Sequence, residues 1–250
     1  MTNTLGLRAS TDRKTTPSAN AAGTTANIHN AFGLLSGAAN SCPGQTAACK
    51  DVCYAGRLEA AYTGFRNVMT NNWLAVKDAS YADLVLSLDA LVKDFIVAAD
   101  KRQCARVFRI HHDGDFFSRT YASAWARVIR NNPSVTFWAY TRSFVPACNV
   151  VDILVGIPNL TLYLSVDAGN AAHAMVIRDE YPTGVRIATL TDTFDNGKGM
   201  MTDLGLTRPG AACPELKGAL PLIDKNGGAC VTCGLCVTGK SDIRFASKGK

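Results

Sequence analysis

No apolar run in this 250-residue chain reaches the roughly 18–20 residues that cross a bilayer, which argues against a membrane-spanning protein. The first residues, Met1 to Gly23, are rich in Ser, Thr and Asn and have no apolar stretch of the kind a secretory signal carries. They read as a flexible polar tail, with the reducing cytosol as the expected compartment. Charged residues are sparse at 18%, while hydrophobic residues make up 47%, a globular balance that fills a core. Histidine is scarcer still, at four residues. His29 and His173 read as surface or packing residues, which leaves the adjacent pair His111-His112.

The net charge of +6 is gathered at the ends: Arg8, Arg13 and Lys14 on one side, Lys240, Arg244, Lys248 and Lys250 on the other. The plain reading is a solvated surface. The alternative is nucleic-acid contact through the basic ends.

Cysteine is the residue type in excess. There are nine, and seven fall in two groups. Disulfides do not persist in a reducing compartment, so clustered thiols there argue for metal. Cys104 and Cys148 stand alone in apolar surroundings and read as small core residues. Cys230, Cys233 and Cys236 form C-x2-C-x2-C, with Cys213 followed by Pro214 earlier in the chain. Three cysteines in seven residues suit the corners of a [4Fe–4S] cube, while four thiolates also satisfy tetrahedral zinc. Gly228 and Gly234 let the backbone bend closely around such a core. Cys42, Cys49 and Cys53 form C-x6-C-x3-C. Three ligands suggest a cluster with one iron open to a small molecule, and a zinc knuckle is the alternative.

The middle of the chain has a rhythm. Arg106–His111, Val135–Thr141, Leu160–Val166 and Val185–Leu190 are β-branched or aromatic runs that read as buried strands. Successive steps between Val107, Val135, Leu160 and Val185 are 28, 25 and 25 residues, about one βα unit each. Helices are expected at Tyr81–Ala99, Arg119–Arg130 and Ala171–Glu180, with a shorter one over Val145–Val155. An earlier strand is expected near Ile28–Leu35. The fold class is therefore α/β, a partial, reduced parallel βα barrel. The expected organisation is a flexible tail over 1–25, the barrel with its cysteine loop over 26–205, and a small irregular cysteine-rich iron–sulfur module over 206–250.

Parallel sheets of this kind place chemistry at the C-terminal ends of their strands. Each predicted strand ends in polar groups: His111-His112-Asp113-Gly114-Asp115, Tyr140-Thr141-Arg142-Ser143, Ser165-Val166-Asp167 and Thr189-Leu190-Thr191-Asp192. Four such endings predict a shared polar pocket. Asp113, Asp115 and Asp167 are candidates to hold a ribose or an amine, and Arg142 to pair with a carboxylate. His111 or His112 is a candidate proton donor or ligand. Adjacent histidines point to opposite faces of a strand, which disfavours a shared metal of the His-x-His kind.

The runs Asn40-Ser41-Cys42-Pro43-Gly44 to Cys49, Cys53-Tyr54-Ala55, His112-Asp113-Gly114-Asp115-Phe116, Phe137 to Ser143, Cys213-Pro214 and Cys230 to Cys236 together resemble the gene product 88 family of actinobacteriophages. The order of elements is also similar to another phage family with radical-SAM-like features. The resemblance covers residues 27–245. It implies a phage protein working in the cytoplasm of a bacterial host, and little about mechanism.

Joined to that resemblance, the residue reading is a radical-SAM-like protein. Cys42, Cys49 and Cys53 are expected to hold an open [4Fe–4S] cluster, and Cys213, Cys230, Cys233 and Cys236 a second one, with zinc as the other metal. His112, Asp113, Asp115 and Arg142 are the candidate catalytic residues. Asp113, Asp115, Tyr140, Arg142, Ser165 and Asp167 are the candidates for binding S-adenosylmethionine. The rival class is a non-catalytic binding or regulatory protein that recognises nucleic acid, a nucleotide or a host factor. A small-molecule ligand and a reductant or host protein are the expected partners.

Overall fold

The computed structural model describes residues 2–15, 28–224 and 227–248. Eleven strands occur in chain order among these: β1 (Ala31–Gly33), β2 (Val107–Asp113), β3 (Thr136–Thr141), β4 (Phe144–Val145), β5 (Cys148–Asn149), β6 (Leu160–Val166), β7 (Arg186–Thr191), β8 (Ala211–Ala212), β9 (Ile223–Asp224), β10 (Gly227–Gly228) and β11 (Ile243–Ala246). The helices are α1 (Ala47–Val52), α2 (Tyr54–Ala61), α3 (Thr63–Val76), α4 (Tyr81–Lys101), α5 (Arg119–Asn131), α6 (Val151–Leu154), α7 (Ala171–Glu180), α8 (Phe194–Asp203), α9 (Ala229–Cys233) and α10 (Leu235–Thr238).

Seven strands form one sheet in the order β1-β2-β3-β6-β7-β11-β8, and every neighbouring pair is parallel. Five of them run in chain order, as successive βα units do when each crossover turns the same way. The helices α4 to α8 then fall on one face. Leu84, Leu88 and Phe95 of α4, Trp125 and Ile129 of α5, Leu154 of α6, Ile177 of α7 and Met201 of α8 share a single apolar cluster with Phe108, Phe137, Leu162 and Ile187 of the strands. Each such side chain, fully buried, contributes about 1.5–3 kcal/mol.

The helices begin where local chemistry starts them. Ser80 accepts from the Asp83 backbone N–H and caps α4, and Ser118 accepts from the Tyr121 N–H and caps α5. The α5 helix stops at Asn132, before Pro133.

The opposite face of the sheet carries Arg109, Trp138, Tyr140, Tyr163 and Phe245, every second residue of their strands. Here the C-terminal segment packs: Tyr163 and Ile243 form a second cluster with Tyr140, Leu235, Cys236 and Phe245 against them. The sequence reading placed no strand after Gly205, yet β8 and β11 both join the sheet, and β11 slots between β7 and β8. The cysteine-rich segment is thus the connection between two neighbouring parallel strands.

Two further differences appear. In place of a helix from Val145, β4 and β5 form an antiparallel hairpin around Pro146-Ala147, and only Val151–Leu154 is helical. The expected flexible tail is packed where it is described. Leu7 is buried, Leu5 N–H donates to Ser87 Oγ, and Ser10 bridges Ala31. The remainder of that predicted tail, Met1 and residues 16–25, lies outside the described residues. No helix among the described residues is long and apolar enough to cross a membrane.

Candidate functional site

The N-terminal cysteines stand at the C-terminal ends of β2, β3 and β6. Thr46 caps α1 by accepting from the Cys49 N–H at 3.1 Å, which sets Cys49 on that short helix. Cys53 ends α1 and starts α2, and its Sγ accepts from the Gly56 N–H at 3.4 Å. Cys42 lies in the preceding turn, where its backbone N–H donates to the Gly37 carbonyl.

Charged groups hold this loop in place. Thr46 Oγ1 donates to Asp167 at 2.6 Å, and Arg142 Nη1 pairs with the same carboxylate at 2.6 Å. Asp167 also accepts from the Gly169 N–H. Asp115 accepts from Thr141 Oγ1, the Phe116 N–H and the Arg142 N–H, each at 2.7 Å. Three of the predicted pocket residues, Asp115, Arg142 and Asp167, therefore come together and satisfy one another. Small residues make the fit close. A Cβ at Gly44 would strike the Arg142 carbonyl, and one at Gly114, where φ is +78°, would strike Ser41 Oγ. Burial raises the thiol pKa of Cys42, and Asp115 raises it further. Burial also raises Cys49, with Arg142 pulling the other way.

Asp113 differs from its neighbours. It is buried, and neither carboxylate oxygen accepts a hydrogen bond. Burial, and next the carboxylate of Glu59, push its pKa up to about 9. Glu59 is itself held by the Ser36 N–H at 2.8 Å and Ser36 Oγ at 3.0 Å. At neutral pH Asp113 thus carries a proton beside the Cys42 loop. Asp115 is raised more modestly, to about 6, because burial is opposed by its hydrogen bonds.

The two histidines do point apart. His111 has a left-handed backbone, φ +59°, and the register of β2 against β1 passes from Ile110 to Asp113, skipping both histidines. This bulge sends His111 to the helix side, where Nε2 meets Tyr121 Oη at 2.9 Å and the ring packs on Phe116 and Trp125. His112 turns to Phe65 and Met69, and its Nε2 has no partner. Burial lowers their pKa values to about 3 and about 4, so both rings are neutral at physiological pH.

Other predicted residues lie apart from this group. Tyr140 lies on the other face, and Ser165 uses its carbonyl to accept from Asn170. Asp192, at the end of β7, pairs with Lys248 at the surface. Arg244 donates to the Phe194 carbonyl, and Lys14 pairs with Glu215, so these members of the basic ends have internal partners. Cys148 is buried and Cys104 packs at the edge of the core, while His29 and His173 are exposed.

The C-terminal cysteines form a second setting. Cys213, Cys230, Cys233 and Cys236 line one cavity, with Leu235 and Ile243 in its wall. Gly234, at φ +69°, supplies the left-handed turn between α9 and α10 that brings Cys236 back toward Cys230. The module is tied to the sheet by Tyr163 Oη donating to the Ser241 carbonyl at 2.8 Å and Thr161 Oγ1 to the Val237 carbonyl at 3.1 Å. Burial pushes Cys230 up to about 12 and Cys236 up to about 11, so metal binding here would displace protons.

Among the described residues no three His, Cys, Asp or Glu side chains stand close enough to hold a single metal ion. Thiolates on one zinc lie within about 4 Å of one another, given bonds of about 2.3 Å. A cubane core separates its ligands more widely. The all-sulfur donor set suits either group, and all four cysteines line the cavity.

Three residues outside the sequence prediction complete the picture: Glu59 beside Asp113, and Arg109 with Asp12 beside the C-terminal quartet. An arginine in the midst of an apolar strand was the one available signal for the last two.

The family model described as gene product 88 matches residues 5–239. The chain is 40% identical to the gene 88 protein of Mycobacterium phage L5 over 247 residues, covering 98% of this chain and 99% of that protein. It is 39% identical to the gene 88 protein of Mycobacterium phage D29 over 248 residues, with the same coverage. No solved structure matches. The loop cysteines, the strand-end charges and the C-terminal quartet all lie within the matched region, and the chain belongs to the gene product 88 family.

Proposed function

We propose that this chain is an iron–sulfur protein of the phage-infected bacterial cytoplasm, with a three-thiolate site at the edge of the sheet and a four-thiolate site beneath it. The observation that carries the reading is the placement of Cys42, Cys49 and Cys53 at the C-terminal ends of the parallel strands, where such sheets do chemistry. A [4Fe–4S] cluster held there by three thiolates would have one iron open and would supply an electron to a sulfonium ligand such as S-adenosylmethionine. Arg142, Asp167 and Thr46 fix the loop that presents the sulfurs. Asp113 holds a proton on a buried carboxyl next to it, and His112 offers a neutral ring. The four C-terminal cysteines form a closed site for electron relay or stability.

Anaerobic protein given dithionite and S-adenosylmethionine should release 5′-deoxyadenosine. A yield no higher than that of the triple variant C42A/C49A/C53A removes the enzymatic reading.

One observation favours a second reading. Asp115 accepts from the Arg142 N–H, and the Arg142 guanidinium pairs with Asp167, so these groups have partners within the protein. A non-catalytic regulatory protein, with closed iron or zinc sites, needs no more than that. Salt-sensitive retention of DNA or RNA by protein that leaves S-adenosylmethionine intact would support it.

A further inference from the structure

Arg109 lies in the middle of β2, on the face that the cysteine module covers. Its side chain is only 11% exposed, and its guanidinium sits 4.9 Å from the centre of the Trp138 ring. One nitrogen pairs with Asp12, another donates to Tyr54 Oη at 3.3 Å, and Nε has no partner. A buried arginine is strongly unfavourable without a counter-charge. Here the partner is recruited from 97 residues away in the chain.

The segment bearing Asp12 lies over the cysteine module. Lys14 pairs at 2.8 Å with Glu215, two residues after Cys213. The carbonyls of Arg13 and Lys14 lie so close to Gly228 that no Cβ fits there. Cys230 follows Gly228 by two residues, and Cys236 packs on the same cluster as Tyr140, whose ring stands 5.4 Å from Trp138 and so next to the ring that Arg109 covers.

We propose that Arg109 and Asp12 are a paired electrostatic control on an iron–sulfur group held by Cys213, Cys230, Cys233 and Cys236. Arg109 stabilises the reduced, more negative state, and Asp12 restrains that effect. The proposal rests on reading the quartet as an iron–sulfur site. Each added electron brings negative charge into a pocket walled by Leu235, Ile243 and aromatic rings, where a nearby fixed charge is poorly screened. Both residues are positioning groups, since neither touches the metal ligands through a bond.

The test is a redox titration of anaerobically loaded full-length protein, followed by visible absorption and electron paramagnetic resonance. C236S identifies the C-terminal couple by removing it. R109Q should move that couple to more negative potential, R109K should leave it near wild type, and D12N should move it to more positive potential. Opposite signs from the two charge removals distinguish electrostatic control from loosened packing, which would move both the same way. If R109Q does not fold, D12N against R109K still gives the sign. Unmoved couples, or shifts of one sign in R109Q and D12N, overturn the proposal. A wild-type quartet without redox-active iron overturns the iron–sulfur reading of that site and the proposal with it.

Discussion

Cys42, Cys49 and Cys53 sit among carboxylates and a guanidinium at the ends of the strands, whereas Cys213, Cys230, Cys233 and Cys236 sit against rings and aliphatic side chains on the face of the sheet. The first loop is held by a buried ion pair and a capping threonine, and it contributes no strand to the sheet. The second carries its own strands, because Cys213 follows β8 directly and Cys236 is seven residues before β11. One site is a set of thiols laid on a finished scaffold. The other helps to finish it. Loss of the sulfurs should therefore have different consequences at the two places.

The largest effect is expected at the second site. C230S/C236S should lose about four irons per chain, the content of one cubane. It should also release β11 from between β7 and β8. A loss of ~3 kcal/mol lowers the melting temperature of a chain this size by about 6–12 °C. Amide exchange at Ile243 to Ala246 should accelerate in that variant and stay slow in C49S. Equal exchange in both would erase the contrast between the sites.

Next in size is the ion pair under the first loop. Asp167→Ala leaves Arg142 buried without its partner, for which a loss of about 3–5 kcal/mol is expected in urea unfolding. Alkylation of Cys42, Cys49 and Cys53 should speed up while the C-terminal quartet keeps its wild-type rate. Faster alkylation at both sites would mean that the two regions are one cooperative unit.

A smaller effect is set by pH. The folded-state pKa of Asp113 is raised to about 9, from an ordinary value of 3.8. The folded chain thus keeps a proton that the unfolded chain releases, and this group's contribution to stability falls as pH rises from about 4 to about 9. Asp113→Asn should flatten that part of the stability profile, as read from urea unfolding midpoints between about pH 4 and about pH 9. At the bottom of the scale is Lys248→Ala. It removes an exposed pair with Asp192 and should leave the unfolding midpoint where it was.

The sheet was readable wherever one strand carries its own pattern. Leu160–Val166 and Ala171–Glu180 form as expected to the residue, because alternation and a Tyr-Pro stop are local signals. Ala211–Ala212 and Ile243–Ala246 gave no such signal. They are short, and what makes them strands is pairing with each other and with β7. The hairpin at Pro146 was mistaken for helix because Val145–Val155 is apolar at both helical and strand spacings. In the candidate sites, cysteine spacing marked out the two groups of thiols. Arg109, Asp12 and Glu59 stayed hidden because each acquires meaning only through a partner distant in sequence. Composition also misjudged the N-terminal segment, since Leu7 and Asp12 find buried places that a polar count does not reveal.

Iron and acid-labile sulfide per chain, measured on protein purified and reconstituted without oxygen, test the central claim most directly. Two thiolate sites predict a brown protein with about eight irons, four for each cubane. A colourless, folded protein whose seven clustered cysteines all titrate as accessible thiols, or one that carries only zinc, would contradict it.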